Sequence, residues 1–377
     1  MKQDGYSSSH PPLPPITEED LLSCLRLLRS RRVGVVTFYR LLEEHGSAAA
    51  ALDALPAVAS AAGEGSYQVC PEGVAMAELR AAKRVRARPI WLGSAEYPAQ
   101  LAEIADAPPL LWARGPLRAD AKPPIALVGA RNASSLGTRM TRRLASEMGE
   151  AGLHTVSGLA RGIDTVAHLT SLETGTIAVL GGGVDVPYPA ENASLMAEIA
   201  EKGLLLSEMP MGTHPQARHF PRRNRIISGA SKAVVVVEAA AKSGSLITAE
   251  IAADQGRDVL AVPGHPFDAR ASGCLKLIRD GATLVRSVDD ILEVVAAPVV
   301  PRPEPAQPPE APKRPLREVA ALHRQVLDRL GPSPMAEDQL IRDFNAPAAQ
   351  VSSALVDLEM EGRIERQSGG LLALKSA

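Results

Sequence analysis

Between residues 89 and 295, short runs of aliphatic, often β-branched residues recur, and stretches with helical spacing lie between them. Several of these runs are apolar at every position, whereas a strand with one solvated face would alternate apolar and polar residues. Strands covered on both faces are typical of parallel sheets with helices on either side. The sequence therefore predicts a doubly wound, mostly parallel α/β sheet. Its expected strands are 125–129, 153–157, 176–180, 203–207, 233–237, 258–262 and 282–285.

Before this sheet, the chain predicts a tail and a small helical domain. Residues 1–15 are polar and proline-rich, which favours a flexible segment. Residues 16–88 place leucines at helical spacing after Thr17, and the three acidic residues that follow it suit the positive end of a helix. A second helix is expected at 35–45, ended by Gly46. We therefore expect a compact helical domain at 16–88.

After the sheet, the composition changes abruptly. Residues 296–315 are expected to form an extended linker, because eight of the last nineteen residues of this segment are prolines. Residues 316–377 follow with three predicted helices, at 319–330, 336–344 and 347–361. Two further stretches flank Ser368 and Gly369 and predict a hairpin. Three helices and a hairpin are typical of a winged helix-turn-helix domain.

The composition excludes several classes of protein. There are 41 Lys and Arg against 43 Asp and Glu, a formal net charge of −2, so binding of nucleic acid would need a local basic patch. Cys24, Cys70 and Cys274 are far apart and indicate neither a disulfide framework nor a zinc site, and no metal or cofactor is predicted. Apolar runs fall short of the roughly 18 residues of a membrane span, and the start resembles no secretory signal. We expect a cytoplasmic protein that does not enter the membrane.

Four of the predicted strands are followed by turns rich in glycine and small polar residues. In an open α/β sheet, ligands gather at the carboxyl ends of the strands. Glycine lets backbone N–H groups approach an anion, and a helix N-terminus adds partial positive charge. Together the turns suit a phosphate-binding surface, although each alone could be an ordinary connection, and none matches the dinucleotide or ATP-binding consensus. The turns are 129–132, with Arg131; 157–162, with Gly158 and Arg161; 181–185; and 242–245, with Lys242, Ser243, Gly244 and Ser245.

The sharpest signal is a basic stretch at 209–237, which contains no Asp or Glu. Arginine grips phosphates through a planar fork and stacks on bases, and Phe220 in the middle of the stretch supplies a stacking face. These groups suit a groove for single-stranded nucleic acid. The alternative is a solvated face with Phe220 in the core and one arginine paired with a carboxylate such as Glu238. The cations are Arg218, Arg222, Arg223, Arg225 and Lys232, with Asn224 among them.

Candidates for catalysis are fewer. Asp164 and His168 are four residues apart and share a helix face, so they could be an acid/base pair or a helix cap and its neighbour. Asp185 could hold a ribose or form a turn. Glu208 and Glu238 are further carboxylates. No nucleophile, catalytic triad or metal-ligand cluster stands out.

Many separate sequence blocks, in the same order, resemble the DNA-processing protein A family, also called DprA or Smf. The likeness covers about 89–290, and the helical and winged-helix domains are similar to accessory domains of this family, the first of SAM or helix-hairpin-helix type. Leu275 departs from the family, which usually has Asn or His there. The blocks are Tyr97-Pro98, Pro108-Pro109 with Trp112 and Gly115, SGLARGID at 157–164 with Ala167-His168, GGGVDVPYP at 181–189, Ser207-Glu208, FPRRNRII at 220–227, SGSLITA at 243–249, AVPG at 261–264, and Gly273, Leu277-Ile278 and Gly281-Ala282.

The resemblance implies a Rossmann-like core in a homodimer that binds single-stranded DNA and is not an enzyme. Family members protect incoming DNA during natural transformation of competent cells and load the RecA recombinase onto it for recombination. Because phosphate contacts carry no sequence information, binding is expected to be largely independent of sequence. The expected DNA-binding residues are Arg131, Gly158, Arg161, Phe220, Arg222, Arg223, Asn224, Arg225, Lys242, Ser243, Gly244 and Ser245.

Two other functions remain open. The turn at 181–185 with Glu208 would suit a Rossmann-like enzyme that acts on a nucleotide, such as a nucleoside-phosphate hydrolase. The winged helix could instead be the principal reader of DNA. Its third predicted helix, however, has no Lys or Arg and carries three acidic residues, which suits a protein contact better.

Overall fold

The computed structural model describes residues 17–63, 66–119, 122–296, 315–330, 334–344, 346–367 and 371–375. The expected tail at 1–15, nearly all of the linker at 296–315, and the turn Ser368-Gly369 lie outside these residues and stay predictions. The chain divides into two compact units. One is built on Met76–Val300, and the other on Thr17–Ala75 together with Pro301–Ala377.

Helices and strands alternate through the middle of the chain. The described helices are α1 Glu18–Arg29, α2 Val35–His45, α3 Ala48–Ala61, α4 Glu72–Arg84, α5 Ala99–Ala102, α6 Ser135–Glu150, α7 Ile163–Ser171, α8 Ala193–Lys202, α9 His219–Gly229, α10 Gly244–Asp254, α11 Ser272–Arg279, α12 Val288–Ala296, α13 Leu316–Arg329, α14 Glu337–Asp343 and α15 Ala348–Met360. The described strands are β1 Arg88–Trp91, β2 Leu110–Arg114, β3 Pro124–Gly129, β4 His154–Ser157, β5 Thr176–Val179, β6 Leu204–Ser207, β7 Ala233–Glu238, β8 Asp258–Ala261, β9 Thr283–Leu284, β10 Met335–Ala336, β11 Ile364–Gln367 and β12 Leu371–Leu374.

The first unit contains a nine-stranded sheet in its described residues, in the order β1-β2-β6-β5-β4-β3-β7-β8-β9. The strands from β6 to β9 in this order pair in parallel, and β2 and β1 extend the β6 edge as antiparallel strands. Residues of β4, β5, β6 and β7 are all buried, as expected for strands covered on both faces. Fully buried Ile125, Leu127 and Val235 pack with Leu144 and Met148 of α6 in this core.

The predicted fold class is confirmed. Each of the seven predicted strands is present, with ends that differ from the prediction by at most one residue. The two antiparallel strands β1 and β2 and the helix α9 were not predicted. The basic stretch therefore does not run as an extended chain; its centre is helical, with Pro221 in the first turn, where a missing backbone N–H is tolerated.

The order of the strands fixes where a ligand can bind. From β3 the chain moves outward through β4, β5 and β6, and then returns to the other side of β3 as β7. Ligand crevices of open α/β sheets lie at the carboxyl ends of the strands where the order reverses in this way. The loops that follow β3 and β7 therefore lie side by side, and the N–H of Ala130 donates to the carbonyl of Glu238 at 2.7 Å.

The second unit joins the two ends of the chain. Helix α1 starts with a capping box, in which Thr17 and Asp20 each accept from the other's backbone N–H. Helices α13, α14 and α15 and the small sheet β10-β12-β11 form the predicted winged helix, around a core that includes Val326, Leu340 and Leu372. Helix α13 also packs against α3 of the helical domain. Across the described residues of both units, no helix is long and apolar enough to cross a membrane.

Candidate nucleic-acid interface

Two cavities adjoin at the carboxyl edge of the large sheet, and we call them together the groove. The larger, of about 630 Å³, lies over the switch point between β3 and β7. The smaller, of about 400 Å³, lies over the ends of β4 and β5. Arg131, Ala160, Phe220 and Arg223 line both cavities, so the two form one continuous depression.

Phe220 stands at the junction of the two cavities and is partly exposed. The guanidinium carbon of Arg131 lies 5.5 Å from the centre of its ring, and that of Arg223 lies 5.9 Å away. The ring of Tyr188 is 5.6 Å away and tilted by 39°. An aromatic ring between two arginines offers a stacking face next to two phosphate-binding groups. The ring is therefore not a core residue, as the alternative interpretation of the basic stretch required.

Arg223 is the least ordinary group in the groove. The residue is 6 % exposed, and its Nε and Nη1 atoms are buried without a hydrogen-bond partner. Burial lowers the pKa of its guanidinium to about 10, with Asp164 opposing and Arg131 adding to that shift, so the group stays charged at neutral pH. A buried, charged donor without an acceptor costs free energy in an empty site. Such a group gains most from a ligand that brings anionic oxygen atoms.

Gly158 makes room for this guanidinium. A Cβ atom at this position would lie 1.5 Å from Nη1 of Arg223 and 2.5 Å from its Cζ. No side chain can therefore be added here while Arg223 keeps its place. The requirement for glycine is set by close approach of the arginine, and not by an unusual backbone angle.

Asp164 and His168 shape the turn that follows β4. The carboxylate of Asp164 accepts from the N–H groups of Gly158 and Ala160, at 3.2 and 3.3 Å. Nε2 of His168 accepts from the N–H of Leu159 at 3.3 Å, so its Nδ1 carries the proton and donates to Oγ1 of Thr176 at 2.7 Å.

Burial shifts the pKa of both side chains. It lowers the pKa of His168 to about 3, with a contribution from Arg223, and keeps the imidazole neutral at neutral pH. Burial also raises the pKa of Asp164, against the opposing effect of Arg223 and the backbone donors. Asp164 is not a helix cap, because α7 begins after Gly162 without a side-chain cap. Both side chains instead hold the turn between β4 and α7.

The start of helix α10 opens onto the larger cavity. Oγ of Ser243 accepts from the N–H of Ser245 at 3.4 Å, and the two hydroxyl groups are 2.7 Å apart. No protein atom lies within 4 Å of the Cβ position at Gly244, so the first turn faces open space. Lys242 is exposed beside it. A helix N-terminus with an adjacent lysine favours negative charge, in agreement with the chemistry of Arg223 across the cavity.

Two of the predicted arginines are not in the groove. Arg225 is buried, and its guanidinium lies 2.5 Å from the carboxylate of Glu208 and 3.3 Å from that of Asp106. Arg222 lines the same separate cavity as Arg225. Successive helical residues are rotated by about 100°, so Arg223 alone of the three faces the groove. Glu208, and not Glu238, is the carboxylate that holds the structural arginine.

The turn at 181–185 is largely occupied by protein contacts. Asp185 accepts from the N–H of Gly212 at 2.9 Å, and the N–H of Gly183 donates to the carbonyl of Thr213 at 2.9 Å. Gly181 alone of this turn lines the groove. The other three predicted turns contribute to the groove; Arg161 lies at its rim, 3.8 Å from Glu191, and Asn224 lines the larger cavity.

Sequence reasoning missed five polar or aromatic side chains of the groove, Asn132, Tyr188, Glu191, Thr248 and Arg270. Asn132 and Tyr188 belong to blocks that were already singled out, but neither was selected. Arg270 follows β8 in the loop that contains Gly264, but this loop was not among the four glycine turns selected. The described residues contain no group of three His, Cys, Asp or Glu side chains placed to hold a metal ion.

Comparison with known proteins covers all three parts of the chain. The profile described as DNA recombination-mediator protein A matches residues 88–296. Those of the DprA-like N-terminal HHH domain and the DprA winged helix domain match residues 18–81 and 304–370. DNA processing protein DprA of Streptococcus pneumoniae is 47 % identical over 198 residues, 52 % of this chain and 70 % of that protein. Protein Smf of Escherichia coli is 39 % identical over 285 residues, 74 % of this chain and 76 % of its own length.

Two solved structures are also similar. The X-ray structure of DNA processing protein A from Streptococcus pneumoniae aligns with a TM-score of 0.61 and 36 % identity, over 74 % of this chain and 98 % of the other. The structure of DNA processing protein A from Helicobacter pylori aligns with a TM-score of 0.52 and 26 % identity, over 56 % of this chain and 96 % of the other. That structure was described for its unique single-stranded DNA binding mode.

Proposed function

Because this chain belongs to the DNA recombination-mediator protein A family, we propose that it binds single-stranded DNA in the groove. The observation that carries this proposal is the guanidinium of Arg223, which is buried, charged and without an acceptor for two of its nitrogen atoms. A phosphate oxygen is the acceptor that suits it, and phosphates recur along a DNA strand. The single-stranded DNA binding mode described for the Helicobacter pylori relative supports the same ligand.

The aromatic centre of the groove favours single-stranded over duplex DNA. Phe220 offers a ring face at the junction of the cavities, with Arg131 and Arg223 around it. A base can stack on this ring only when it is unpaired and turned out of a helix. Duplex DNA keeps its bases stacked inside and presents only phosphates to such a surface. We therefore expect tight binding to single strands and weak binding to duplexes, with little preference for sequence.

The salt dependence of binding tests the groove. We expect the double variant R131Q/K242Q to bind an oligothymidine of about 20 nucleotides more weakly, and to show a smaller slope of log affinity against log salt, by about 1.4 for two lost phosphate contacts. Fluorescence anisotropy over a salt series measures both quantities. The matched control is R139Q/R142Q, which removes two exposed arginines of α6 that do not line the groove. An equal slope for the two double variants would remove the groove from the proposal.

We propose further that the bound strand is passed to a RecA recombinase and that the protein works as a homodimer during natural transformation and recombination. Membership of a family of recombination mediators supports this role. The expected result is faster assembly of RecA on a single strand already covered by a single-strand-binding protein when this chain is added, with a dimer mass by light scattering. A rate of RecA assembly equal to the rate measured without this chain would contradict the loading role.

We also propose that the protein is not an enzyme. The residues that favoured a nucleotide hydrolase are engaged elsewhere, since Asp185 braces Gly212 and Glu208 pairs with Arg225. Incubation of purified protein with mononucleotides should release neither base nor phosphate, and release of either would restore the enzyme hypothesis. The winged helix is not the main DNA reader in this proposal, because α15 carries no Lys or Arg.

A further inference from the structure

Phe267 is the most exposed large apolar side chain of the described residues, with 95 % of its surface open to solvent. It lies in the loop 262–271 that follows β8. Burying a phenylalanine stabilises a fold by about 1.5–3 kcal/mol, so a ring left in water contributes almost nothing of this to folding. The exposed ring is therefore available to contact another molecule.

The loop around Phe267 is held in place by hydrogen bonds. The N–H of Phe267 donates to Nδ1 of His265 at 3.3 Å, and the N–H of Asp268 donates to the carbonyl of His265 at 2.9 Å. Just beyond the loop, the N–H of Gly273 donates to the carbonyl of Ala239, which follows β7, at 2.8 Å. The exposed ring is thus carried on a braced turn that is fixed to the edge of the groove.

The same turn forms one wall of the groove. Arg270, three residues after Phe267, lines the larger cavity. Its Nε atom lies 3.3 Å from the carboxylate of Asp268 and 3.9 Å from that of Glu238. Phe267 itself lines neither cavity; it precedes Arg270 by three residues in the same loop, next to the wall that Arg270 builds.

The ring of Phe267 has one partner. The centre of the His265 ring lies 5.5 Å away at an angle of 37°. With 95 % of the residue exposed, the contact with His265 covers little of the ring and leaves a flat face free. A flat aromatic face at the end of a groove that binds phosphates matches the π-face of an unpaired base.

We propose that Phe267 is a second stacking site, on which a base of the bound strand rests where the strand leaves the groove past Arg270. The inference rests on the proposed function, because it takes single-stranded DNA as the occupant of the groove. Phe220 would then hold a base at the junction of the cavities and Phe267 one at the rim, with phosphates between them near Lys242 and Arg270. Such a site tolerates any base, since every base has a π-face.

Two oligothymidines and two variants test the second stacking site. A strand of about 6 nucleotides can occupy the cavities without reaching the rim, whereas one of about 20 can pass over it. We expect F267A to bind the longer strand at least about fivefold more weakly, the lower end of what one stacked base contributes, and the shorter strand as the unmodified protein does. F267W keeps an aromatic face and should restore tight binding of the longer strand.

The F267W variant adds a fluorescence signal that DNA would leave unchanged if Phe267 had only a structural role. Trp91 and Trp112 are buried, so the new indole is the solvent-exposed tryptophan among the described positions. Its fluorescence should be quenched when the longer strand binds and unchanged with the shorter one. The control L169A removes another exposed apolar side chain, on α7, that does not line the groove and should bind both strands normally.

The outcomes separate this inference from the proposed function. If the unmodified protein binds neither strand, the proposed function fails. If it binds both and F267A binds them equally well, only the role of Phe267 is overturned. An equal loss on both strands, or an indole whose fluorescence the longer strand leaves unchanged, would likewise overturn the stacking role.

Discussion

Replacement of Arg223 by glutamine should weaken binding of single-stranded DNA by about 10-fold to 100-fold, the range of a hydrogen-bonded charged group at 1.5–3 kcal/mol. The reason is that the guanidinium of Arg223 is charged and lines both cavities beside Phe220, so it attracts a phosphate that enters the groove. Anisotropy titration with an oligothymidine measures the loss. R222Q is the matched control, because the neighbouring Arg222 is exposed and faces a different cavity.

The same site can be perturbed without changing its charge. In G158A the new methyl group would overlap Nη1 of Arg223, which is the far end of a flexible side chain and can move away. The variant should therefore fold, keep its net charge and still lose affinity for DNA. A normal thermal unfolding midpoint with reduced binding would show that the position of the guanidinium matters. If R223Q and G158A both bind as R222Q does, Arg223 is a structural residue and the binding site lies elsewhere.

Replacement of Arg225 by alanine should affect folding and not DNA binding directly. We expect it to lower the free energy of unfolding by about 3–5 kcal/mol. Arg225 lies within 2.5 Å of Glu208 and 3.3 Å of Asp106, and the Glu208 side chain is only 14 % exposed. The variant leaves that carboxylate without its cation in a site shielded from water, which costs far more than loss of a surface ion pair. Chemical denaturation with the linear extrapolation of the unfolding free energy measures the loss.

A double replacement shows whether the loss of stability comes from the carboxylate of Glu208, which R225A leaves without its cation. In R225M/E208L both charges are gone, so most of the lost stability should return. The exposed neighbour provides the baseline, since R222A should change the unfolding free energy by less than about 0.5 kcal/mol. A loss below about 1 kcal/mol in R225A would mean that the ion pair does not stabilise this fold.

The contrast between Arg223 and Arg225 shows what the sequence could predict about the site and what it could not. The absence of acidic residues around them marked the region, and glycine at the strand ends marked the edge of the sheet. Both arginines looked alike because they differ only in where a helix points them, about 200° apart. That helix was not predicted, since a segment with Pro221 and four arginines nearby lacks apolar periodicity. Its position depends on contacts distant in sequence, such as Arg225 with Asp106.

The strands were predictable for a local reason. A run such as Ala233–Glu238 is apolar and β-branched over nearly its whole length, and burial on both faces is the one environment that suits it. Strand β1 is short and mixed in character, whereas β2 is apolar at four of its five positions and was missed in spite of that pattern. The two strands pair with each other, and β2 pairs with β6. The sequence likewise did not place Arg270 and Phe267 near the groove. Their loop has a single glycine, Gly264, and the order of strands in the sheet places it beside the groove.

The packing of α13 on α3 has a consequence for the order in which the protein is made. Helix α3 is synthesised before its partner α13, which follows roughly 250 residues later in the chain. At about 5–20 residues per second, this delay is about 10–50 s. During that interval α3 lacks the contact with α13. The second unit therefore cannot be completed until the residues after the sheet domain have been synthesised.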